Sequence, residues 1–246
     1  MFEQRRARAA LLADQSDAAR EPLQFAAALS NAQAQSMHRF QPVSLSGHLE
    51  NDVDKIVTLI HPILEVIAQR SDDAKQRLSD EVSVAKTRLK AFWSENHHDY
   101  ISRALLQPYV ALLREKNITP DRVHSRGHCP FCGGAAWISS RKSASDADGG
   151  FRYLGCSLCG LDWNFGRIAC PACGEEDPHK LSNFSSDRHP TVRIESCETC
   201  RRYVKSIDLT LDARPLPPVD DLLSLSMDLW AVEEGFVRIE PGMAGM

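Results

Sequence analysis

Eight cysteines in four C-x2-C pairs constrain this chain more than any other feature: Cys129/Cys132, Cys156/Cys159, Cys170/Cys173 and Cys197/Cys200. The gaps between successive pairs are 23, 10 and 23 residues, so a shift of 41 places the first four cysteines on the last four. Pro130, Gly133 and Arg152 move with them onto Pro171, Gly174 and Arg193. A duplication of this kind implies two similar units in tandem. One C-x2-C pair is a weak signal, whereas two pairs roughly 20 residues apart strongly indicate a tetrahedral thiolate site. The spacing lets both sulfurs of one turn face a single point, with the turn's own N–H groups donating to them. The glycine after the second cysteine admits a positive φ. A unit of about 40 residues has too small an apolar core to fold alone. Bound metal supplies the difference, about 10–16 kcal/mol for structural zinc in finger peptides.

The repeat assigns Cys129, Cys132, Cys156 and Cys159 to one metal site, and Cys170, Cys173, Cys197 and Cys200 to a second. Three competing readings remain open. The first and third pairs could share an ion in a cross-braced arrangement, the four central cysteines could form one site, or the pairs could shuttle disulfides. Four thiolates suit zinc and iron alike. The turns Cys129-Pro-Phe-Cys-Gly and Cys170-Pro-Ala-Cys-Gly resemble knuckles found in rubredoxins and in zinc ribbons. A four-thiolate site keeps no position for a bound water, so Lewis-acid hydrolysis is not expected at either.

Around this region the pattern is helical. Val53, Ile56, Val57, Ile60, Ile63, Leu64 and Ile67 recur at steps of three and four. Ser71 reads as an N-cap followed by Asp72 and Asp73, and Ala74, Leu78, Val82, Ala85, Leu89 and Phe92 continue the period. Further helices are expected around Leu23–Leu29 and over 98–115. Pro62 and Pro108 should kink or break theirs. Ala136-Trp-Ile-Ser and Thr191-Val-Arg-Ile-Glu read as short strands. Pro215, Pro217 and Pro218 form a stiff linker, and Leu222 to Val232 one last helix stopped near Gly235. The expected fold is α+β: an all-α domain (1–118), two tandem rubredoxin-like or zinc-ribbon-like modules (119–164 and 165–208), then a linker and C-terminal helix (209–246).

Other functional classes find little support. The net charge is −4, and the segment holding Arg201, Arg202 and Lys205 lacks the basic density of a phosphate-tracking face, so no nucleic-acid partner is expected. No apolar run approaches the roughly 18–20 residues of a membrane span, so no membrane insertion is expected. The N-terminus MFEQRRARAALLADQ carries no apolar signal core, and the expected location is cytoplasmic. The histidines His128, His179, His189 and the pair His97-His98 have no metal spacing and read as surface or capping groups. No catalytic constellation is present, and an enzyme is not expected.

Three stretches resemble the family of the formate dehydrogenase accessory protein FdhE. In Phe151-RYLGCSLCGLDWNFGRIACPACG the resemblance rests on Arg152, Leu154, Trp163 and Arg167 around the cysteine pairs. In Val192-RIESCETCRRYVKSID it rests on Arg193, Glu195, Tyr203, Lys205 and Asp208. The third stretch is Val219-DDLLSLSMDLWAVEEGF, with its Asp-Asp-Leu opening and Glu-Gly end, and a weaker likeness lies in Leu23-QFAAALSNAQAQ. Family members are typically longer, and Pro241-GMAGM stands where they carry a tail. The resemblance implies a cytoplasmic maturation factor or chaperone that binds the catalytic subunit of a respiratory formate dehydrogenase. It also implies iron at both sites, with all eight cysteines as ligands; zinc is the alternative.

Overall fold

The computed structural model describes residues 1–70, 82–95, 99–144 and 147–245. Among them, six helices precede the first cysteine: α1 (Phe2–Gln15), α2 (Arg20–Phe40), α3 (Leu49–Leu59), α4 (His61–Ala68), α5 (Val82–Glu95) and α6 (Tyr100–Glu115). No described helix is long and apolar enough to cross a membrane. The stripe formed by Val53, Ile56, Ile60, Ile63 and Ile67 is buried throughout, but two helices carry it. Pro62 marks the break: it lies in the first turn of α4, where a missing N–H costs no hydrogen bond. The expected cap at Ser71, the residues Ala74 and Leu78 after it, and His97 and His98 lie outside the described residues.

Pro108 departs from expectation, because α6 runs through it to Glu115. Proline lacks the N–H that would reach the Ala104 carbonyl. Buried Gln33 of α2 donates to that carbonyl instead, with Nε2 at 2.9 Å. Gln33 Nε2 also donates to Gln107 Oε1 at 2.5 Å, and Gln107 Nε2 donates to the Ser157 carbonyl at 2.6 Å. The chain of bonds that repairs the proline defect therefore ends beside Cys156. Gln33→Leu leaves a buried carbonyl and amide short of partners, so a loss of about 1–3 kcal/mol is expected. Urea denaturation reads it as a lowered midpoint.

The cysteine region supplies β1 (Ala136–Ala144), β2 (Ala147–Cys156), β3 (Asp162–Asn164), β4 (Leu181–Ser186), β5 (His189–Cys197) and β6 (Arg202–Asp208), and β7 (Val237–Arg238) follows near the end. The duplication governs strand register. Tyr153, Leu154 and Gly155 of β2 face Asn164, Trp163 and Asp162 of β3. At 41 residues' distance, Ile194, Glu195 and Ser196 of β5 face Lys205, Val204 and Tyr203 of β6. The two repeats then merge. β1 pairs in parallel with β6 through Ser139–Ser206, Ser140–Ile207 and Arg141–Asp208. One sheet results, in the order β3-β2-β1-β6-β5-β4, with β7 also beside β6.

At the C-terminal end the prolines divide differently from expectation. Pro217 and Pro218 are part of a helix, α7 (Pro217–Asp220), rather than of a linker, since proline's fixed φ suits a first turn. A 3-10 turn (Asp221–Ser224) leads into α8 (Leu225–Glu233). Gly235, at φ +78°, takes the left-handed conformation that ends it. A buried charged cluster fixes this segment to the sheet. Lys205 Nζ lies 2.8 Å from Asp221 Oδ1 and 2.6 Å from Asp228 Oδ2. Arg238 reaches the same carboxylates at 2.9 and 3.1 Å, and Tyr203 donates to Asp228 at 2.8 Å. The following residues return to the helices: Arg103 of α6 pairs with Glu240 at 2.5 Å and donates to the Gly242 carbonyl at 2.9 Å.

Candidate metal centres

The eight sulfurs gather in two groups, Cys129/Cys132/Cys156/Cys159 and Cys170/Cys173/Cys197/Cys200, with the sulfurs of each group within 4.8 Å of one another. This is the grouping set by the repeat, and neither a cross-braced nor a central-four arrangement occurs. Sulfur separations are 3.6 Å for Cys129–Cys159 and 3.4 Å for Cys132–Cys156. They are 3.7 Å for both Cys170–Cys200 and Cys173–Cys197. A disulfide would bring sulfurs to about 2.05 Å. Four sulfurs about 2.3 Å from a central ion stand about 3.8 Å apart. Each group therefore has the size of a four-thiolate cage and can hold one metal ion.

Local backbone geometry builds the cages. The Cys129 N–H donates to the Gly134 carbonyl at 2.9 Å, and the Cys170 N–H to the Glu175 carbonyl at 2.8 Å. The N–H groups of Leu158 and Cys159 donate to Cys156 Sγ at 3.3 and 3.4 Å. Reversing the chain after each pair requires a left-handed residue, supplied by Gly133, Gly160 and Gly174 at φ +66°, +68° and +78°. The fourth turn has Arg201 there instead, at φ +55°, a conformation unfavourable for a side chain with a Cβ. Its guanidinium donates to the Glu234 carbonyl at 2.6 Å and lies 3.9 Å over the Phe236 ring, which ties this knuckle to the end of α8. Glu175 bridges the two knuckles of the second cage. The Thr199 hydroxyl and the N–H groups of Asp177 and Glu176 donate to its carboxylate and hold its pKa down to about 2.

The joint between the cages rests on buried Arg152. It pairs with Glu195 at 2.6 Å and donates to the carbonyls of Gly166 and Ala169, each at 2.8 Å. Arg167, which lies between the two cages in the chain, donates to the Gly150 carbonyl. His128 sits 2.7 Å from the Ser125 hydroxyl and His189 3.3 Å from that of Ser226. Neither they nor His179 enters a cage.

A residue the sequence reading passed over is Arg5. It lies on α1 in the buried series Phe2, Arg5, Ala9, Leu12, and its place in that apolar helical stripe was the available signal. Among the described residues its Nη1 has no hydrogen-bond partner. Burial pushes its pKa down to about 10, while the charge of Cys156 acts in the opposite sense. Burial lowers the pKa of Arg122 too, and Cys132 and Cys156 oppose that shift. Buried cations without a counter-charge are costly. Four thiolates around a divalent or trivalent ion carry net negative charge, so buried Arg5 fits an occupied first cage.

Without an ion the first group shares its protons unevenly. Hydrogen bonds from Cys132, Cys156 and Cys159 hold Cys129 far below an ordinary thiol. The bonds given to Cys129 push Cys132 and Cys159 upward, and burial does so for Cys156. Metal entry must displace the protons of those three raised thiols, so affinity should rise with pH. Titration calorimetry in buffers of different ionisation enthalpy should find proton release on metal binding; its absence would contradict the thiolate cage.

Comparison with known proteins follows the same division. A family model described as "FdhE, central domain" matches residues 128–167, and one described as "FdhE, C-terminal domain" matches residues 168–243. A protein FdhE homolog of Aquifex aeolicus is 28% identical over 205 residues, covering 80% of this chain and 72% of the relative. Homologs from Pseudomonas putida and Haemophilus influenzae are 34% and 37% identical over 123 residues, about half of this chain. Those two alignments span 38% and 39% of the relatives' own length. The crystal structure of the FdhE protein from Pseudomonas aeruginosa shares the fold, with a TM-score of 0.72 at 23% identity, covering 99% of this chain and 95% of that one.

Proposed function

Because the chain belongs to the FdhE family through its central and C-terminal domains, we propose that it is an accessory factor for a respiratory formate dehydrogenase. In this reading it binds the catalytic subunit in the cytoplasm and serves that subunit's maturation without catalysing a reaction itself. The supporting observation is the distribution of the cages. One cage falls within the segment matched by each family domain, and the shared sheet holds both in a fixed relation. We assign all eight cysteines as ligands and iron as the metal. Iron so held supplies one-electron chemistry, whereas zinc has none. The chain's own part is to position the thiolates, donate knuckle N–H groups to them and offset their charge with Arg5.

Two experiments test this reading. The aerobically purified protein should be red and carry two iron ions; a colourless protein with two zinc ions rejects iron and favours a zinc-ribbon binding module. The tagged chain should co-purify with a formate dehydrogenase catalytic subunit, and its deletion should abolish formate dehydrogenase activity. Retained activity after a verified deletion contradicts the accessory role.

A further inference from the structure

The two cages have the same ligands but different access to solvent. Cys129, Cys132, Cys156 and Cys159 are each 0% exposed and share an apolar cluster with Ile56, Tyr109 and Leu113 of the helices. α1 closes the remaining side: a Cβ on Gly160 would lie 2.1 Å from Met1 Sδ and 3.4 Å from Arg5 Nη2. In the second cage Cys170 and Cys197 are buried, but Cys173 is exposed and Cys200 half-buried. A Cβ on Gly174, next to Cys173, would meet only the Arg126 side chain, at 3.8 Å. Ile168, two residues before Cys170, is 56% exposed, and among the described residues no element covers this edge as α1 covers the other.

We propose that the second centre is the exchangeable one: an external thiol enters at the Cys173 edge and replaces that ligand, while the first centre is sealed. The inference rests on the reading that both cages bind metal. In the exchange the bond from the metal to Cys173 Sγ breaks and a bond to the incoming sulfur forms. The proton of the incoming thiol passes to Cys173, which leaves as a neutral thiol, and no electron is transferred. Substitution at a four-coordinate ion requires the new donor to approach an open edge. Cys173 offers that edge in the folded state. The first cage can open only if α1 or the helical core moves away, which adds the free energy of local unfolding to its barrier.

The test uses the full chain loaded with zinc, with the metal counted before the challenge. An excess of the chromogenic chelator 4-(2-pyridylazo)resorcinol is then added at several glutathione concentrations. One zinc equivalent should leave at least about tenfold faster than the other, and only the fast phase should accelerate with glutathione. Cys173→Ser should remove the fast equivalent and leave the slow one. Because that variant could misfold, iodoacetamide labelling of the unaltered zinc protein provides a second readout. Mass mapping should find Cys173 and Cys200 modified before any first-cage cysteine. Release of both equivalents at one rate, a fast phase indifferent to glutathione, or earlier labelling of the first cage overturns the proposal. Fewer than two zinc ions at the initial count overturns the two-metal reading itself, and the inference with it.

Discussion

Cys156→Ser is expected to leave the protein with one bound metal ion instead of two and to weaken the helical half as well as the first repeat. Cys156 sits in the apolar cluster that contains Leu106, Tyr109 and Leu113, and the Gln33–Gln107 bonds end at its neighbour Ser157. Loss of the ion also leaves buried Arg5 without its counter-charge. A structural zinc contributes about 10–16 kcal/mol in finger peptides, an upper bound for a domain whose other contacts persist. The second centre should stay loaded, because β4, β5 and β6 carry it and the Lys205 cluster anchors it independently. Elemental analysis and a thermal scan read both effects. Cys197→Ser should show the converse metal loss. Equal loss of both ions from the Cys156 variant would mean that the shared sheet fails as one unit.

Asp221→Asn has the second-largest expected effect. Asp221 is 1% exposed. Burial pushes its pKa up, but Arg238 and Lys205 outweigh that and hold it below the usual carboxylate range. The asparagine keeps the shape and removes the charge, leaving two buried cations to share Asp228. Removing one partner of such a network typically costs about 3–5 kcal/mol. Guanidinium denaturation should show that loss, and limited proteolysis should cut the α7–α8 segment sooner. Lys205→Met combined with Asp221→Asn should cost less than the sum of the two, since each alone leaves an unmatched buried charge. The pH dependence follows from the lowered pKa. The contribution of Asp221 is complete above its unfolded-state pKa, about 3.9, and is lost as the pH falls through the lower folded value.

The cages were legible because a repeat in one dimension became a repeat in space. The 41-residue shift that aligns the cysteines also aligns the β2/β3 register with that of β5/β6. The merger of the two repeats was not legible, because parallel pairing of β1 with β6 joins strands from different repeats and leaves no local signature. Pro108 misled for a related reason. Its local chemistry predicts a damaged helix, but the repairing group, Gln33, lies 71 residues away from the Ala104 carbonyl it serves. Arg5 was overlooked because a basic stretch at a chain start reads as solvated surface until α1 is seen lying across Gly160. Lys205 and Asp221 could be singled out by family resemblance, but their meeting with Asp228 and Arg238 in one buried cluster is a tertiary fact.

The central claim is that this chain holds two separate metal ions in two four-cysteine cages. Native mass spectrometry of the purified full chain, compared with the acid-denatured protein, tests it most directly. The account predicts a native mass higher by two metal ions less the thiol protons they displace, with one ion missing from Cys156→Ser and one from Cys197→Ser. A native mass equal to that of the bare chain, or an unaltered protein that holds only one ion and loses it in either variant, would contradict it.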